Sequence, residues 1–459
     1  GATALHVTSD TLSADGTRAV ITAPVTFTGN VSSGAQPSRL YQLDDHGTAG
    51  TSDDTLVQLN ASELATPEQP RAARFQAASA DGARVWFASA ERLTEDAPAG
   101  GGLYLWQQDP DTAGRHLTLA APGGLDVLAF GASRDGRRIY FAARGQLLAD
   151  GPPVLEDAVY LWEQDPGGGG GATSFVGAIS IGDARANADT AAWNLRFRTA
   201  RVTPDGRALL FQVSDESGVG AGRAHGACAS NPNGTTTGVC AQLYVYRADA
   251  STPLAPAVAC ASCQPSGAPT GANAWTSVHV GAGAAQLTAH LSRALSDDGR
   301  RVFFSSAAAL VPEDGNGTVD AYEYDVPSGT VRLLSSGRDP ADSWFLDASA
   351  DGDDAFFVTR ERLVGWDVDR AYDVYDARVD GGVPEPAPAA PACSGEACRG
   401  EAHAPPPVPV LGSATLAQAP APRARRAHRV CRRGFVRRTV RGRARCVRRR
   451  HAHHRRHRR

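Results

Sequence analysis

The chain has no methionine and no lysine, and all 46 of its basic residues are arginine. That bias reflects GC-rich coding more than function. With no methionine, the chain is expected to begin after its start codon, so Gly1-Ala2-Thr3 carries no readable targeting peptide. No apolar run is long enough for a membrane span. Aromatics make up only 7% of residues, and no stretch keeps a helical period. The G-x-S-x-G nucleophile elbow is missing, which excludes an α/β-hydrolase peptidase or esterase. Within residues 1–380 no H-x-x-x-H or His/Asp cluster offers a catalytic metal. The body's histidines (His6, His46, His116, His225, His279, His290) stand singly, and a lone histidine is more often a satisfied residue than a ligand.

What the chain does have is repetition. Six copies of one twelve-residue pattern occupy the first 360 residues: LSADGTRAVITA from Leu12, ASADGARVWFAS from Ala78, ASRDGRRIYFAA from Ala132, VTPDGRALLFQV from Val202, LSDDGRRVFFSS from Leu295 and ASADGDDAFFVT from Ala348. Each sets Asp-Gly in a tight turn, which predicts a two-residue hairpin, ahead of a β-branched or aromatic strand buried on both faces. The tenth position is always large and apolar: Ile21, Phe87, Phe141, Phe211, Phe304, Phe357. A second recurrence follows, centred on Tyr41, Tyr104, Tyr160, Tyr244, Tyr322 and Tyr375. The Asp-to-Tyr offsets are 26, 23, 25, 39, 24 and 24, so the units are equal apart from one insertion between about Ser214 and Ala241. A further strand follows in most units, as in His116-Leu117-Thr118-Leu119.

These periods predict an all-β fold: a six-bladed β-propeller over residues 1–380, with four antiparallel strands per blade. The long spacers from Asp135 to Asp205 and from Asp205 to Asp298 read as Gly/Ala/Asn-rich loop. The sixth unit's fourth strand would fall in the proline-rich VPEPAPAAP, where a strand is disfavoured. Residues Thr3 to Thr8 are expected to supply it and so close the ring. Trp86, Trp106 and Trp162 lie at repeat positions and suit packing between blades better than a carbohydrate platform.

The S-x-D-G turn, the aromatic strand and the D-x-Y-x-[WY] strand of Asp320-Ala321-Tyr322-Glu323-Tyr324 resemble the bacterial WD-repeat-like, TolB-type propeller family over roughly residues 1–380. FLDASADGDDAFFVTRERLV, CASCQPSGAP and the Cys-bracketed basic tail are similar to secreted actinobacterial propeller proteins. The resemblance implies the fold and leaves the task open, since one propeller scaffold serves many. Sialidase propellers carry S-x-D-x-G-x-x-W, and here Asp and Gly are adjacent, one residue short.

Eight cysteines fall in near pairs: Cys228/Cys240, Cys260/Cys263, Cys393/Cys398 and Cys431/Cys446. Even count and close pairing point to structural disulfides and an oxidising compartment. A redox or zinc role for Cys260-Ala-Ser-Cys263 lacks the helix start or the second knuckle it would need.

Charge is divided. Residues 421–459 hold 18 arginines and no acid, which leaves −21 on residues 1–420 within a whole-chain charge of −3. Ten of the 29 prolines lie in Gly381–Pro422. Residues 381–422 therefore read as an extended linker, and 423–459 as an Arg/His-rich tail with a small disulfide-closed hairpin. The remainder of the tail is expected to be disordered. Such a tail binds polyanions through counterion release, so an anionic envelope polymer or lipid surface is its expected partner. With Phe435 as its one aromatic, sequence-specific nucleic-acid readout is not expected. His451, His453, His454 and His457 read as solvated tail rather than as ligands.

One loop offers metal chemistry. Asp314, Asn316 and Asp320 place oxygens at i, i+2 and i+6, partly like a calcium loop, and Asp367, Asp369 and Asp373 repeat this in the sixth unit. Both lack the closing Glu of an EF-hand, and Asp and Gly also suit any interstrand loop. The turn reading is the expectation for both loops, so no cofactor is expected, with calcium as the one alternative. The functional expectation is a monomeric, non-catalytic, extracellular or envelope-associated scaffold that binds a protein or glycan ligand on its propeller face. The Cys228–Cys240 insertion would be the recognition element. The alternative is a propeller hydrolase or lyase with a dispersed site at the channel mouth, which would bring two or more carboxylates or histidines together there.

Overall fold

A computed structural model of the chain describes residues 11–23, 37–48, 50–108, 115–145, 147–148, 157–188, 199–214, 219, 225–228, 238–249, 257–277, 291–382, 431, 435–440 and 443–448. It comprises two compact units, Gly1–Ala387 and Pro388–Arg459. In the second, β23 (Phe435–Val440) pairs antiparallel with β24 (Arg443–Arg448), and a disulfide joins Cys431 to Cys446. Cys393, Cys398 and the histidines of the tail lie outside the described residues.

Among its described residues the first unit is all-β apart from one α-helix and one short 3-10 turn. It holds six consecutive antiparallel sheets. Sheet 1 is β1 (Arg18–Ala23), β2 (Arg39–Asp44) and β3 (Thr55–Gln58). Sheet 2 is β4 (Ala73–Ala78), β5 (Arg84–Ser89), β6 (Gly102–Gln108) and β7 (Arg115–Pro122). Sheet 3 is β8 (Leu128–Ala132), β9 (Arg138–Arg144), β10 (Asp157–Gln164) and β11 (Gly171–Ile179). Sheet 4 is β12 (Arg201–Val202), β13 (Ala208–Val213), β14 (Gln242–Arg247) and β15 (Val258–Cys260). Sheet 5 is β16 (Ala274–Trp275), β17 (Arg301–Ser306), β18 (Asp320–Asp325) and β19 (Thr330–Leu333). Sheet 6 is β20 (Ser343–Ala348), β21 (Asp354–Thr359) and β22 (Asp373–Arg378).

Among the described residues sheets 2 to 5 have the expected four strands, and sheets 1 and 6 have three. Sheet 1 keeps only an isolated bridge, Leu12 to Ala19, where its first strand would lie. Sheet 6 ends at β22, and the segment expected to extend it, Thr3 to Thr8, lies outside the described residues. As an edge, β22 leaves Val374 62% exposed.

The two sequence recurrences meet in one place. Phe87 lies directly opposite Tyr104 across β5 and β6, and Phe141 opposite Tyr160, Phe211 opposite Tyr244, Phe304 opposite Tyr322 and Phe357 opposite Tyr375. Four of the five ring pairs are stacked, at 5.6–5.9 Å between centroids. Such cross-strand pairs are the unit of sheet stabilisation. The hydroxyls then tie down the loop between the second and third strands: Tyr104 donates to Glu91 O at 3.1 Å and Tyr160 to Gly145 O at 3.1 Å. Trp86 is fully buried, meets Trp162 edge-on at 5.1 Å, and donates Nε1–H to Gly136 O, so it joins sheet 2 to sheet 3.

The Asp-Gly turn differs from a two-residue hairpin. Gly82 N–H donates to Ser79 O and Ser79 N–H to Arg84 O, so Asp81 precedes a left-handed glycine (φ 67°) that closes a longer turn. The reason is the hydroxyl two residues before the Asp. Ser79 Oγ–H donates to Asp81 Oδ1 at 2.6 Å while Ser79 Oγ accepts Arg84 N–H, and Asp81 Oδ1 also accepts Ala83 N–H. The same network recurs at Ser13/Asp15, Ser133/Asp135, Thr203/Asp205, Ser296/Asp298 and Ser349/Asp351.

These bonds favour the ionised carboxylate. Hydrogen bonds from Ser13 and Thr17 lower Asp15 to about 2, and those from Ser349 and Asp353 lower Asp351. Burial opposes the shift at Asp81 and Asp135, but the Ser hydroxyl and backbone N–H outweigh it. A carboxyl lowered on folding stabilises fully above its unfolded pKa, about 3.9, and loses that contribution as pH falls through the folded value. Glu91 and Glu323, raised by burial, act in the opposite sense at higher pH. The melting temperature should therefore fall steeply from about pH 4 towards pH 2. Calorimetry across that range checks this, and a flat profile would contradict it.

Neighbouring sheets are joined through these turns. Arg18 Nη1 donates to Asp81 O, Arg84 Nη1 to Asp135 O, Arg138 Nη1 to Asp205 O and Arg301 Nη1 to Gly352 O. Each arginine stem lies over the next turn's glycine. A Cβ built on Gly206 would sit 2.8 Å from Arg138 Cβ, whereas one on Gly16 would meet nothing within 4 Å.

The spacer before sheet 4 is not all loop. It contains α1 (Ile181–Ala188), with Ser180 capping it by accepting Asp183 N–H and donating to Asp183 Oδ2. Because β12 pairs only with Leu209 and Leu210, the backbone of Gln212 needs other partners. Asn187 supplies both, its Oδ1 accepting Gln212 N–H at 2.8 Å and its Nδ2 donating to Gln212 O at 2.7 Å. Asp183 likewise accepts Ser214 N–H. A side-chain amide here does what a strand does elsewhere.

Candidate functional site

The turn residues between Ser/Thr and Asp are Ala14, Ala80, Arg134, Pro204, Asp297 and Ala350. Their backbones form a chain from sheet to sheet: Ala14 N–H to Ala80 O, Ala80 N–H to Arg134 O, Arg134 N–H to Pro204 O, and Asp297 N–H to Ala350 O. Pro204 has no N–H, so it cannot continue this chain from the fourth turn to the fifth. A cleft of about 380 Å³ lies at that break, lined in part by Arg134, Arg201, Pro204, Arg293, Asp297 and Asp347.

The cleft is polar, and most of its polar groups are engaged. The buried Arg201 donates through Nε to Ser292 O at 2.6 Å and through Nη2 to Ser292 Oγ at 3.2 Å, bridging sheets 4 and 5. Arg293 Nε meets Asp297 Oδ1 at 3.2 Å, and Arg293 N–H donates to Asp347 Oδ1 at 2.7 Å. Asp347 Oδ1 also accepts Ala348 N–H. Among the described residues two carboxylates thus line the cleft, both held by the Arg293 segment, and no histidine does. Arg134 is exposed, and its guanidinium forms no hydrogen bond or ion pair among the described residues. The sequence signal for this site was available: the second residue of the S-x-D-G turn is charged only at Arg134 and Asp297.

The opposite ends of the strands carry the loops between second and third strands. In sheet 4 this is the long insertion. Cys228 and Cys240 are disulfide-bonded, Ala227 bridges Val239, and residues 229–237 lie outside the described residues. Cys260 and Cys263 are also bonded, with Cys263 Sγ 4.0 Å from the Tyr244 hydroxyl. His225 Nε2 shares a 2.7 Å hydrogen bond with that same hydroxyl, so the stapled stem is pinned to sheet 4's tyrosine.

In sheet 5 the corresponding loop carries Asp314, Asn316 and Asp320. Asp314 and Asp320 are buried, at 6% and 1% exposure. Tyr322 donates its hydroxyl hydrogen to Asp314 Oδ2, and Ser335 donates to Asp320 Oδ1. The remaining oxygens, Asp314 Oδ1 and Asp320 Oδ2, have no hydrogen-bond partner, and neither does Thr318 Oγ1 between them. Burial raises the Asp320 pKa; the Ser335 hydroxyl and the nearby Asn316 side chain oppose it, and the Asp314 and Glu361 charges raise it further. Asn316 Oδ1 accepts Thr318 N–H, and its Nδ2 donates to Asp339 O. In sheet 6, Asp367, Asp369 and Asp373 bring one carboxylate oxygen each within 4.8 Å of one another. Tyr375 donates to Asp367 Oδ2, as Tyr322 does to Asp314.

The three disulfides are consistent with a secreted or periplasmic protein. Among the described residues no helix is long and apolar enough to cross a membrane. No family model matches the chain, and no curated protein matches it. Solved structures do. TolB from Acinetobacter baumannii is similar at 14% identity over 81% of this chain and 69% of that one, with a TM-score of 0.25. An oligogalacturonate lyase in complex with manganese is similar at 12% identity over 76% and 68%, with a TM-score of 0.33. An acylaminoacyl peptidase from Pyrococcus horikoshii is similar at 11% identity over 78% of this chain and 42% of that one, with a TM-score of 0.31.

Proposed function

We propose that residues 1–380 form a closed six-bladed propeller of the TolB-type, WD-repeat-like kind, as in secreted actinobacterial propeller proteins, and that it acts outside the cytoplasm as a non-catalytic binding scaffold. Residues Thr3 to Thr8 close the ring by pairing with the exposed edge β22. Residues 381–422 are the linker, and the tail 423–459 contacts an anionic polymer or lipid surface. The cleft at Pro204 takes the protein or glycan ligand.

One observation carries this reading. Oδ1 of each cleft carboxylate is held, by Arg293 Nε at Asp297 and by the Arg293 and Ala348 N–H groups at Asp347, which favours an anchoring role over that of a free general acid or base. What the cleft offers a ligand is the free guanidinium of Arg134, suited to a carboxylate or other acidic group. A hydrolase or lyase, the alternative, would need one of these carboxylates released.

The test is titration calorimetry with acidic peptides and uronate oligosaccharides, followed by mass spectrometry of each ligand after long incubation. An intact ligand that binds the parent, but not an Arg134→Ala variant of unchanged melting temperature, is the expected result. Conversion of the ligand would overturn the scaffold in favour of the enzyme. In the second arm, sedimentation with anionic vesicles should require residues 423–459 and weaken steeply with salt. Vesicle binding by a chain cut at residue 422 would contradict the tail's role.

A further inference from the structure

We propose that the loops Asp314–Asp320 and Asp367–Asp373 are two equivalent calcium sites, one in each of sheets 5 and 6. The inference is independent of what the cleft binds.

The two loops superimpose residue for residue in sequence. Leu310-Val311 precedes Asp314, Asn316, Asp320 and Tyr322, and Leu363-Val364 precedes Asp367, Asp369, Asp373 and Tyr375, at a constant offset. In both, the tyrosine of the third strand donates its hydroxyl to the first aspartate, so this side chain is anchored by the aromatic pair that builds the sheet. At Asp314 this leaves Oδ1 without a donor, whereas at Asp367 Oδ1 accepts Asp369 N–H at 3.2 Å.

Acidic residues on a loop need no ion to explain them. Three oxygens without donors do. Asp314 Oδ1, Thr318 Oγ1 and Asp320 Oδ2 are all sequestered from solvent and unpartnered within seven residues of chain. Buried carboxylate oxygens are ordinarily hydrogen-bonded or paired, because leaving one bare costs its full desolvation. Neither aspartate forms an ion pair with an arginine among the described residues, although this chain carries 46 of them. The charges felt by Asp320 are Asp314 and Glu361, both of its own sign. A cation between Asp314 and Asp320 would complete every one of these groups. In sheet 6 the aspartates are more open: one carboxylate oxygen of each lies within 4.8 Å of the others, and Asp367 Oδ1 and Asp369 Oδ1 also accept the N–H groups of Asp369 and Ala371.

The donor set names the ion. All ligands are carboxylate, carboxamide or hydroxyl oxygen, with no histidine or cysteine, which excludes zinc and copper preferences. Asn316 Oδ1 keeps a second lone pair while accepting Thr318 N–H. An irregular loop, with water completing the shell, suits the six to eight flexible oxygens of calcium better than the strict octahedron of magnesium. Affinity in the range of extracellular modules, about 10⁻⁴ to 10⁻³ M, is expected.

Both loops join the second strand to the third, as the Cys228–Cys240 insertion does. The ions would therefore rigidify the end of the unit opposite the cleft.

The experiment uses the full chain after chelator treatment and calcium as the probe. Titration should give two ions per chain and a melting temperature several degrees higher in millimolar calcium. Terbium in place of calcium should luminesce on tyrosine excitation, through Tyr322 and Tyr375. Asp320→Asn and Asp373→Asn should each lower the stoichiometry to one. In chelator, Asp320→Asn should be at least as stable as the parent, because it removes a buried like-charge contact. A variant that fails to fold leaves the parent's stoichiometry and terbium signal to decide. No calcium heat, no terbium luminescence and an unchanged melting temperature would overturn the proposal. A parent stoichiometry of one would overturn it for one of the two loops.

Discussion

Replacing Gly206 by alanine should cost the first unit about 2–5 kcal/mol, whereas Gly16→Ala should cost only about 1. The two glycines hold the same position in two copies of one turn, and both have left-handed backbone, with φ of 70° and 77°. An alanine at either pays the strain of that region, on the order of 1 kcal/mol. They differ in what lies next to them. A methyl on Gly206 would stand 2.8 Å from both Arg138 Cβ and Ser133 Cβ, atoms that cannot swing aside without moving sheet 3. It would also disturb the Tyr140 hydroxyl that donates to Gly206 O at 2.9 Å. A methyl on Gly16 meets open space. Urea unfolding of both variants measures the difference. Equal losses would show that backbone strain alone, and not close approach of adjacent sheets, demands glycine in this turn.

That pair of residues also shows what a single sequence discloses. The repeated Asp-Gly announced the turn, and Phe87 with Tyr104 announced two strands. That these two residues lie opposite one another across the sheet was implicit in the constant offset. Periodicity exposes whatever every copy does alike. It does not expose how one copy makes good a local deficit. Sheet 4 has a two-residue first strand, and its repair by α1 rests on Ser180, Asp183, Asn187 and Ser214, which occur in no other unit. The capping pair Ser180/Asp183 was a readable helix signal, yet eight residues with little amphipathic pattern gave it no support. The cleft was legible only as an exception to the repeat: Pro204 and Arg134 stand where alanine stands in three of the six copies. The loop Asp314–Asp320 could be read as a spacing of oxygens. Its unpartnered atoms could not, because burial is decided by Tyr322, Ser335 and the neighbouring sheet.

Asn187→Leu should lower stability by about 2–4 kcal/mol, more than an ordinary surface change and against the sign that apolar burial would give. Asn187 is fully buried, and leucine is close to it in size, so a transfer argument alone would predict a gain. The hydrogen bonds decide the outcome. Leucine would take from Gln212 N–H and Gln212 O the bonds they make to Asn187 in the core, and each such loss costs about 1–3 kcal/mol. It would also remove the acceptor of the Thr199 hydroxyl, which now reaches Asn187 Oδ1 at 2.8 Å. The backbone of β13 cannot turn to water, because all six of its residues are buried. Asn187→Asp should be intermediate, since it keeps the acceptor for Gln212 N–H but sets a carboxylate oxygen against Gln212 O. Hydrogen exchange at Gln212 gives a readout independent of global unfolding. In the parent this amide should be among the slowest in the unit, and in the leucine variant it should exchange through local opening of α1. Unchanged protection there, with unchanged stability, would mean that the helix only covers sheet 4 and does not stand in for its missing strand.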